Sequence, residues 1–311
     1  MPAAQQGVAI LGIFVADLAF RAPRLPGVGE TLVGSGFVMG PGGKGANQAM
    51  AAARAGAAVS FITRLGEDAF GAGARASWAA EGIRACVPPA TGEPTGAAFI
   101  FVDERSGDNA IIVYPGAAGA LSAADAEAAR GPIEAAAVFL TQLEQPAAAA
   151  RRGLEIARAA GVLTILNPAP AAELDPAIYP LCDYITPNES EAQGLTGLAV
   201  GSLDEARRAG DALLARGVGT ALITLGERGA LFHSREVSVL VPAFSAGPVV
   251  DTTGAGDAFN GGFASALSRG MAPLEAVRFG SAVAGLSVTR PGAAASMPTL
   301  AEVQALLARQ G

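Results

Sequence analysis

The residue types best suited to chemistry occur together in residues 251–260, whose sequence is DTTGAGDAFN. Gly254 and Gly256 permit a sharp turn and let a ligand approach the backbone, because glycine has no Cβ. A helix is predicted to follow, since Phe259 and Phe263 begin an apolar pattern at helical spacing. The first N–H groups of a helix lack partners within it and carry the positive end of its dipole. The turn is therefore suited to binding an anion such as phosphate.

Asp257 stands at the start of this predicted helix, where its carboxylate would repel a phosphate. The two features are compatible if the carboxylate faces an acceptor hydroxyl while the backbone amides hold the phosphate. That is the arrangement of phosphoryl transfer with a carboxylate base. The alternative interpretation is a helix with an acidic first turn, which is worth a few tenths to about 1 kcal/mol.

A second glycine-rich stretch, GPGGKGANQ at residues 40–48, precedes an alanine-rich predicted helix. It is not a Walker P-loop, because Lys44 is followed by Gly45 instead of Ser or Thr. The turn at 254–256 is not a dinucleotide fingerprint either, since Phe259 stands in place of the third glycine. A plain P-loop NTPase and a Rossmann dehydrogenase are thus disfavoured. The double glycine instead suits a small hydroxylated ligand, while the alternative for Lys44 is a solvated surface lysine.

The composition narrows the class of protein. The chain has 311 residues, 51% of them hydrophobic and 16% charged, and a net charge of -7, which argues against a nucleic-acid partner. Cys86 and Cys182 have no metal-site spacing, and we expect them to be reduced and buried in a cytoplasmic protein. His233 is the one histidine, which disfavours a histidine-dependent triad or a multi-histidine metal site.

The apolar residues near the beginning of the sequence, 7–20, are interpreted as a first strand and not as a signal peptide. A basic n-region is missing, and Asp17 interrupts the run. No run of 18 or more apolar residues occurs, so no membrane span or membrane partner is expected.

Strands alternating with helices predict an α/β fold with a mostly parallel sheet. Predicted strands cover residues 8–15, 59–63, 137–141, 162–166, 183–186 and 220–224, followed by a hairpin at 230–233 and 237–241. Predicted helices cover 68–81, 146–160, 202–216, 273–288 and 300–309, besides an alanine-rich one that follows Gln48 and ends at Ala55 and the one after Asp257. Segments near 13–40 and 95–115 do not fit this alternation and are expected to form a small separate sheet.

Polar loops follow four of the predicted strands, at residues 141–144, 167–168, 186–191 and 224–229. Ligands of open parallel sheets bind beyond the carboxyl ends of the strands. We therefore expect these loops to meet at one edge, where they strengthen the catalytic interpretation.

Together these stretches resemble the ribokinase-like branch of the PfkB carbohydrate kinase family. GGKGANQA at residues 42–49 resembles its first signature, and DTTGAGDAFNG at 251–261 resembles its second. NPAP at 167–170 and TPNESE at 186–191 are also similar to ribokinase segments. The resemblance implies one kinase domain over residues 1–311, in a three-layer fold with a small β-sheet lid. It also implies ATP-dependent phosphorylation of a sugar hydroxyl.

The resemblance further implies roles for individual residues. Asp257 would be the base, and Gly254, Ala255 and Gly256 would form the anion hole. Sugar-binding positions are matched by Asp17, Gly42, Gly43, Lys44, Asn47, Glu144 and Asp257. Nucleotide positions are matched by Asn188, Glu191, Thr224, Gly226, Gly229 and Gly256, with Glu191 supporting Mg²⁺ and phosphate. A monovalent-cation site for K⁺ is matched, largely through backbone oxygens, by Asp251, Thr253, Ser287, Arg290, Gly292 and Ser296.

One residue departs from the family pattern. Ribokinases usually carry Asn two residues before the aspartate matched by Asp17, whereas Val15 stands there in this chain. Loss of a partner to a buried hydroxyl costs on the order of 1–3 kcal/mol. A deoxy sugar, another furanose or a different small polyol is therefore an alternative to ribose, unless Phe14 or a water compensates.

The sequence leaves the identity of the acceptor and one non-catalytic function open. The acceptor is most simply ribose or a related pentose, with fructose, a ketodeoxy sugar acid or a nucleoside as alternatives. A non-catalytic sugar-binding regulator on the same fold is the remaining possibility, against which the intact Asp257 argues. A lid of exposed strands suggests a homodimer in which the lid edges cover each other.

Overall fold

The computed structural model describes residues 6–88 and 92–310, in which thirteen strands and ten α-helices are found. The strands are β1 Val8–Leu11, β2 Val15–Ala22, β3 Gly36–Gly42, β4 Val59–Ile62, β5 Arg84–Cys86, β6 Thr95–Asp103, β7 Asn109–Gly116, β8 Val138–Thr141, β9 Leu163–Leu166, β10 Tyr184–Ile185, β11 Thr220–Thr224, β12 Ala230–His233 and β13 Ser238–Val241. The α-helices are α1 Lys44–Arg54, α2 Ala69–Ala80, α3 Ala123–Ala128, α4 Arg130–Ala135, α5 Ala147–Ala159, α6 Glu189–Thr196, α7 Leu203–Ala215, α8 Ala255–Ser268, α9 Pro273–Ser287 and α10 Leu300–Arg309. Short 3₁₀ helices cover Ala117–Ala120, Pro176–Leu181, Gly226–Arg228 and Ala294–Ser296.

The central sheet has nine strands in the order β13-β12-β11-β10-β9-β8-β1-β4-β5. All neighbours from β11 to β5 pair in parallel, and only β12 and β13 join antiparallel. Strand β1 is buried on both sides, with Ile10 packed in one core cluster and Leu11 in the other. Such two-sided burial explains its continuous apolar sequence. The predicted α/β fold, with a sheet between two layers of helices, is confirmed.

A separate sheet of four strands, in the order β3-β2-β6-β7, is referred to below as the small sheet. Strands β2 and β6 pair in parallel, and the two outer pairs are antiparallel. It is built from the two segments that did not fit the alternating pattern, as predicted. Whether the whole chain acts as one domain stays a prediction.

The prediction of one strand over residues 8–15 was wrong in detail. The chain leaves the central sheet after Leu11, and Val15 already belongs to the small sheet. Residues on both sides of this crossing are buried. Hydrophobicity alone therefore could not mark the break.

Several short elements were not predicted: β5, α3, α4 and α6. Strand β5 has three residues, and α3 and α4 have six each. Helix α6 has eight residues and begins within the segment interpreted as a polar loop. Elements this short give too few turns or alternations for periodicity to detect.

The two cysteines are free thiols in the structure, but they differ in burial. Cys182 is buried as expected, and Cys86 is only partly buried because it lies on the edge strand β5. The cytoplasmic location stays a prediction. Within residues 6–88 and 92–310, no helix combines the length and the apolar character needed to cross a membrane.

Candidate active site

The carboxyl ends of neighbouring central strands bring polar side chains together, as predicted. Asn167 follows β9, and its Nδ2 donates to the carbonyl oxygen of Thr186, after β10, at 3.0 Å. Asn188 forms an isolated parallel bridge with Thr224 at the end of β11. The loops after these strands thus form one continuous polar edge.

Helix α8 contacts this edge, where Thr186 Oγ1 donates to Asn260 Oδ1 at 2.6 Å. Gly254 precedes its first residue and has a φ of 76°, a left-handed conformation that glycine adopts without the penalty of a Cβ. The N–H of Ala255 donates to the carbonyl of Thr252 at 3.1 Å. A Cβ placed on Gly256 would meet no neighbouring atom within 4 Å. The turn therefore has open space beside it where an anion can approach the backbone.

Asp257 lies in the first turn of α8 and is only 5% exposed. Its Oδ2 accepts a hydrogen bond from Asn47 Nδ2 at 3.0 Å, and its Oδ1 accepts one from Gln48 Nε2 at 2.9 Å. Burial raises the pKa of Asp257, against which the Lys44 charge and the two amide donors act. The raised pKa makes Asp257 a stronger base than an ordinary aspartate.

Asp17 lies on β2, against the backbone of Gly42 on β3. A Cβ at Gly42 would lie 2.2 Å from Asp17 Oδ1, so only glycine leaves room for this carboxylate. Burial raises the pKa of Asp17 to about 6. The small sheet therefore contributes a carboxyl group that titrates near neutral pH.

Glu144 connects the loop after β8 to the start of α1. Its Oε2 accepts a hydrogen bond from the backbone N–H of Lys44 at 2.7 Å. Burial raises the pKa of Glu144; Lys44 opposes this effect, while the charges of Asp257 and Asp17 add to it. The charges of three other predicted sugar-site residues thus act on Glu144.

Asn47 carries one of the buried side-chain oxygens that have no hydrogen-bond partner in the described part of the chain. Asn47 Oδ1 accepts no hydrogen bond from any described residue, although its side chain is buried. A buried acceptor without a donor is costly, so a ligand hydroxyl would be favoured here. Gly43 and Lys44 are the residues at the N-terminal boundary of the same helix, α1.

The predicted nucleotide residues lie at the ends of β10 and β11. Asn188 and Glu191 form a capping box at the start of α6. The backbone N–H of Asn188 donates to Glu191 Oε2 at 2.9 Å, and the backbone N–H of Glu191 donates to Asn188 Oδ1 at 2.8 Å. Burial raises the pKa of Glu191, Lys44 lowers it, and Asp257 raises it further. Gly226 begins and Gly229 follows the short 3₁₀ helix after Thr224.

Asp251 connects two of the other predicted cation-site residues, Thr253 and Gly292. Its Oδ1 accepts from the N–H of Thr253 at 2.9 Å, and its Oδ2 accepts from the N–H of Gly292 at 2.8 Å. Two loops distant in the sequence therefore meet at this carboxylate. The Arg290 side chain turns away and forms an ion pair with Glu302, which leaves only its backbone carbonyl for this site.

The hydroxyl groups of Ser287 and Ser296 complete the predicted cation set. They donate to the carbonyls of Ala284 and Ala293, at 2.9 and 2.7 Å. Because each hydroxyl acts as a donor in these bonds, its oxygen lone pairs are not used by them and can face a cation. In the described parts of the chain, no group of three or more His, Cys, Asp or Glu side chains is placed to bind a metal. A cation here would depend mainly on neutral oxygens.

The sequence analysis assigned no role to Gln48, Gln142 and Asn167. Gln48 lies within the quoted motif of α1, and its side chain is fully buried beside Asp257. A glutamine within an alanine-rich helix is the signal that could have identified it, because a buried amide requires polar partners.

Comparison with known proteins identifies the family. A family model described as pfkB family carbohydrate kinase matches residues 5–300. The chain belongs to this family. The ribokinase of Haemophilus influenzae is 40% identical over 94% of this chain and 95% of its own length. The deoxyribokinase of Salmonella typhi is 36% identical over 94% of this chain and 96% of its own length.

Solved structures place this pfkB kinase in the ribokinase-like branch. A structure of Arabidopsis thaliana ribokinase complexed with ribose and ATP superposes with a TM-score of 0.88 at 31% identity, and the match covers 97% of this chain and 98% of that one. As a carbohydrate kinase, the protein is a phosphotransferase that acts on a sugar hydroxyl.

Proposed function

We propose that this pfkB kinase transfers the γ-phosphoryl group of ATP to a hydroxyl of a pentose, with Asp257 taking the hydroxyl proton. The observation that carries the proposal is the position of Asp257. It is a buried carboxylate in the first turn of α8, next to the glycine turn and held by two amide donors. A carboxylate beside an anion-binding helix start suits proton removal and phosphoryl transfer at one place.

The sugar is proposed to lie between α1 and the small sheet. Asp17, Lys44, Asn47 and Glu144 surround this space, together with the backbone of Gly42 and Gly43. Carboxylates accept hydrogen bonds from sugar hydroxyls, and the unpartnered Asn47 Oδ1 adds a further acceptor. This set of hydrogen-bonding groups supports a small polyhydroxylated molecule as the substrate that receives the phosphoryl group.

ATP is proposed to lie along the ends of β10 and β11, with its phosphates directed at the N-terminus of α8. Gly254, Ala255 and Gly256 would stabilise the charge that develops on the transferred group. Asn188, Thr224, Gly226 and Gly229 would contact the nucleotide. A complex of an Arabidopsis relative with ribose and ATP supports both ligands for this chain.

Mg²⁺ is proposed to accompany ATP, with Glu191 supporting it. A buried carboxylate whose pKa is raised by its surroundings gains from a nearby cation, so Glu191 fits this role. When bound, Mg²⁺ would offset the repulsion between the phosphates and the carboxylates of the site.

A monovalent cation, K⁺, is proposed beside the anion hole. Asp251 joins the loop of Thr253 to that of Gly292, so backbone oxygens of both loops lie close together. The Arg290 carbonyl and the hydroxyls of Ser287 and Ser296 would complete the set. The ion would strengthen the positive potential at the turn before α8.

The acceptor is proposed to be a pentose that makes no hydrogen bond at Val15. Val15 and Asp17 are two residues apart on β2 and therefore share the face of the small sheet toward the site. Phe14 does not compensate, because its ring packs edge-to-face on Trp78 with 5.6 Å between centroids. Both ribose and a deoxypentose fit this description, and relatives named ribokinase and deoxyribokinase support each.

A homodimer through the small sheet is also proposed. The face that points away from Asp17 is called the outer face below, and its large exposed side chains are Phe20, Phe37, Met39, Phe99, Ile112 and Tyr114. An apolar face of this kind marks a protein–protein contact. A second copy of the chain would cover it and protect the sheet edges.

One assay tests the proposed activity: ADP release measured with ribose, 2-deoxyribose, fructose, ketodeoxy sugar acids and nucleosides. We expect the highest kcat/KM with ribose or 2-deoxyribose. A higher value with another acceptor would reject the pentose. ATP binding without ADP release for any acceptor would favour the sugar-binding regulator.

A further inference from the structure

The carboxylate of Asp257 accepts a hydrogen bond from the buried side-chain amide of Gln48, a residue that the proposed function does not use. Gln48 lies on α1, and its side chain is 0% exposed. Its Nε2 donates to Asp257 Oδ1 at 2.9 Å and to Asn167 Oδ1 at 3.0 Å. Its Oε1 accepts from Gln142 Nε2. Both ends of the amide are therefore engaged.

The direction of the Gln48 amide is fixed by its neighbours. The backbone carbonyl of Thr186 can only accept a hydrogen bond, so the Asn167 group facing it at 3.0 Å must be the NH₂ group. The oxygen of Asn167 then faces Gln48 and requires a donor. Gln48 consequently presents its NH₂ group to Asn167, and the second N–H of that group points at Asp257.

We infer that Gln48 is a positioning residue, which orients Asp257 by binding Oδ1 and leaves Oδ2 to the acceptor hydroxyl. The inference deepens the proposed function and rests on it. The two oxygens have different surroundings, because Oδ1 faces the buried layer of Gln48 and Asn167. Oδ2 faces Asn47, whose own oxygen has no partner among the described residues. Gln48 does not need to touch the sugar for this role.

The same hydrogen bond favours the ionised form of Asp257. Lys44 is the charged group that favours the ionised form of Asp257, and the charge of Asp257 in turn raises the pKa values of Glu144 and Glu191. Asp17 acts on Glu144. Burial raises the pKa of Asp257, and the Gln48 donor counteracts it. Without Gln48, Asp257 would therefore stay protonated, and unable to take the proton of the acceptor, up to a higher pH.

The test replaces Gln48 by Met, which keeps the length of the side chain and removes its donors. We expect kcat to fall roughly 10- to 100-fold, because a misplaced base loses much of its effect. The KM for the sugar should change less than threefold. The acidic limb of the kcat profile should move to higher pH. Gln48→Glu should move it further, since a second carboxylate would face Asp257.

Gln145→Met is the matched control. Gln145 is also buried, and its Nε2 donates to Thr141 Oγ1 at 2.9 Å and to the Gln142 carbonyl, with no contact to Asp257. If Gln48 only stabilised the fold, both variants would lower the melting temperature and neither would move the pH profile. An unshifted acidic limb and unchanged kcat in folded Gln48→Met would overturn the inference.

A second measurement separates this inference from the proposed function. Carbon-13 NMR of labelled aspartate carboxyls, assigned with Asp257→Asn, follows the titration of Asp257 without any sugar or ATP. We expect its pKa to be higher in Gln48→Met than in the wild type and in Gln145→Met. If this shift occurs in a protein that phosphorylates no acceptor, the proposed function fails while the contact is supported. An equal titration in all three proteins would contradict the role of Gln48.

Discussion

Asn47 Nδ2 lies 3.0 Å from Asp257 Oδ2, although 210 residues separate them in the sequence. Asn47 belongs to the first turn of α1, and Asp257 to the first turn of α8. Each helix start contributes to one region of the site: α1 to the region proposed for the sugar, α8 to the region proposed for the phosphoryl group. The hydrogen bond therefore joins the two proposed substrates' binding regions directly.

Asp257→Asn should keep the fold and much of the sugar binding but lower kcat by roughly 10³-fold or more. The amide has the same shape, and its oxygen can still accept from Gln48. It cannot take a proton from the acceptor. The measurements are ADP release and calorimetric sugar binding, with Asp204→Asn as a control because that side chain is 80% exposed. Turnover close to the wild type would remove Asp257 from the role of base.

The affinity for the sugar should fall as the pH falls through about 6, the raised pKa of Asp17. Above that pH the carboxylate is ionised and accepts hydrogen bonds; below it, the group is protonated and loses acceptor capacity. Sugar Kd measured without ATP from pH 5 to 8 should show this loss. Asp17→Asn should bind more weakly at pH 8 and vary little with pH. A pH dependence that survives in the variant would assign it to another group.

The ionisation of Asp17 should also make the free energy of unfolding depend on pH, but with the opposite sign to the sugar affinity. Because the folded-state pKa of about 6 exceeds the ordinary aspartate pKa of 3.8, the folded protein binds the proton more tightly than the unfolded chain does. The contribution of Asp17 to the free energy of unfolding therefore decreases as the pH rises from about 4 to about 6. Thermal melts of ligand-free protein at pH 7.5 should show Asp17→Asn to be at least as stable as the wild type.

Val15→Asn should raise kcat/KM for ribose relative to 2-deoxyribose by roughly tenfold or more, since a hydrogen bond to a buried hydroxyl is worth about 1–3 kcal/mol. The new amide would share the face of Asp17 on β2. Val15→Ile is the control, because it keeps the position apolar. A ratio that stays constant in Val15→Asn would show that this position does not contact the acceptor.

K⁺ should increase kcat relative to choline at equal ionic strength if the site beside the anion hole is used. Asp251→Asn should abolish this response, because an amide cannot accept from both Thr253 and Gly292 N–H groups. The Asp204→Asn variant should retain it. Equal rates in both salts for the wild-type protein would argue against the cation site.

The wild-type protein should sediment as a dimer at micromolar concentration, and Ile112→Lys should shift it toward the monomer. Ile112 is 70% exposed on the outer face, and a lysine buried in an interface lacks a partner. Val113→Lys is the matched control, since Val113 is adjacent on β7 but points to the opposite face. A monomeric wild type would contradict the dimer.

Long periodic elements and glycine-rich turns were predictable from the sequence, whereas the network around Asp257 was not. Helix α8 and the parallel strands have patterns that local physics explains. The pairing of Gln48 with Asn167 depends on two segments 119 residues apart. The raised pKa of Asp257 likewise arises from burial by other elements. Neither property is encoded in local spacing.

Strand β2 carries Val15 and Asp17 on one face and Phe20 on the other, so its pairing register places residues of both the proposed sugar site and the proposed dimer contact. A slip of one residue would turn Asp17 outward among aromatic rings and send Phe20 toward the sugar. Pairing with β3 on one side and β6 on the other holds the register along the whole strand. A single-residue insertion within β2 should thus alter both proposed properties at once.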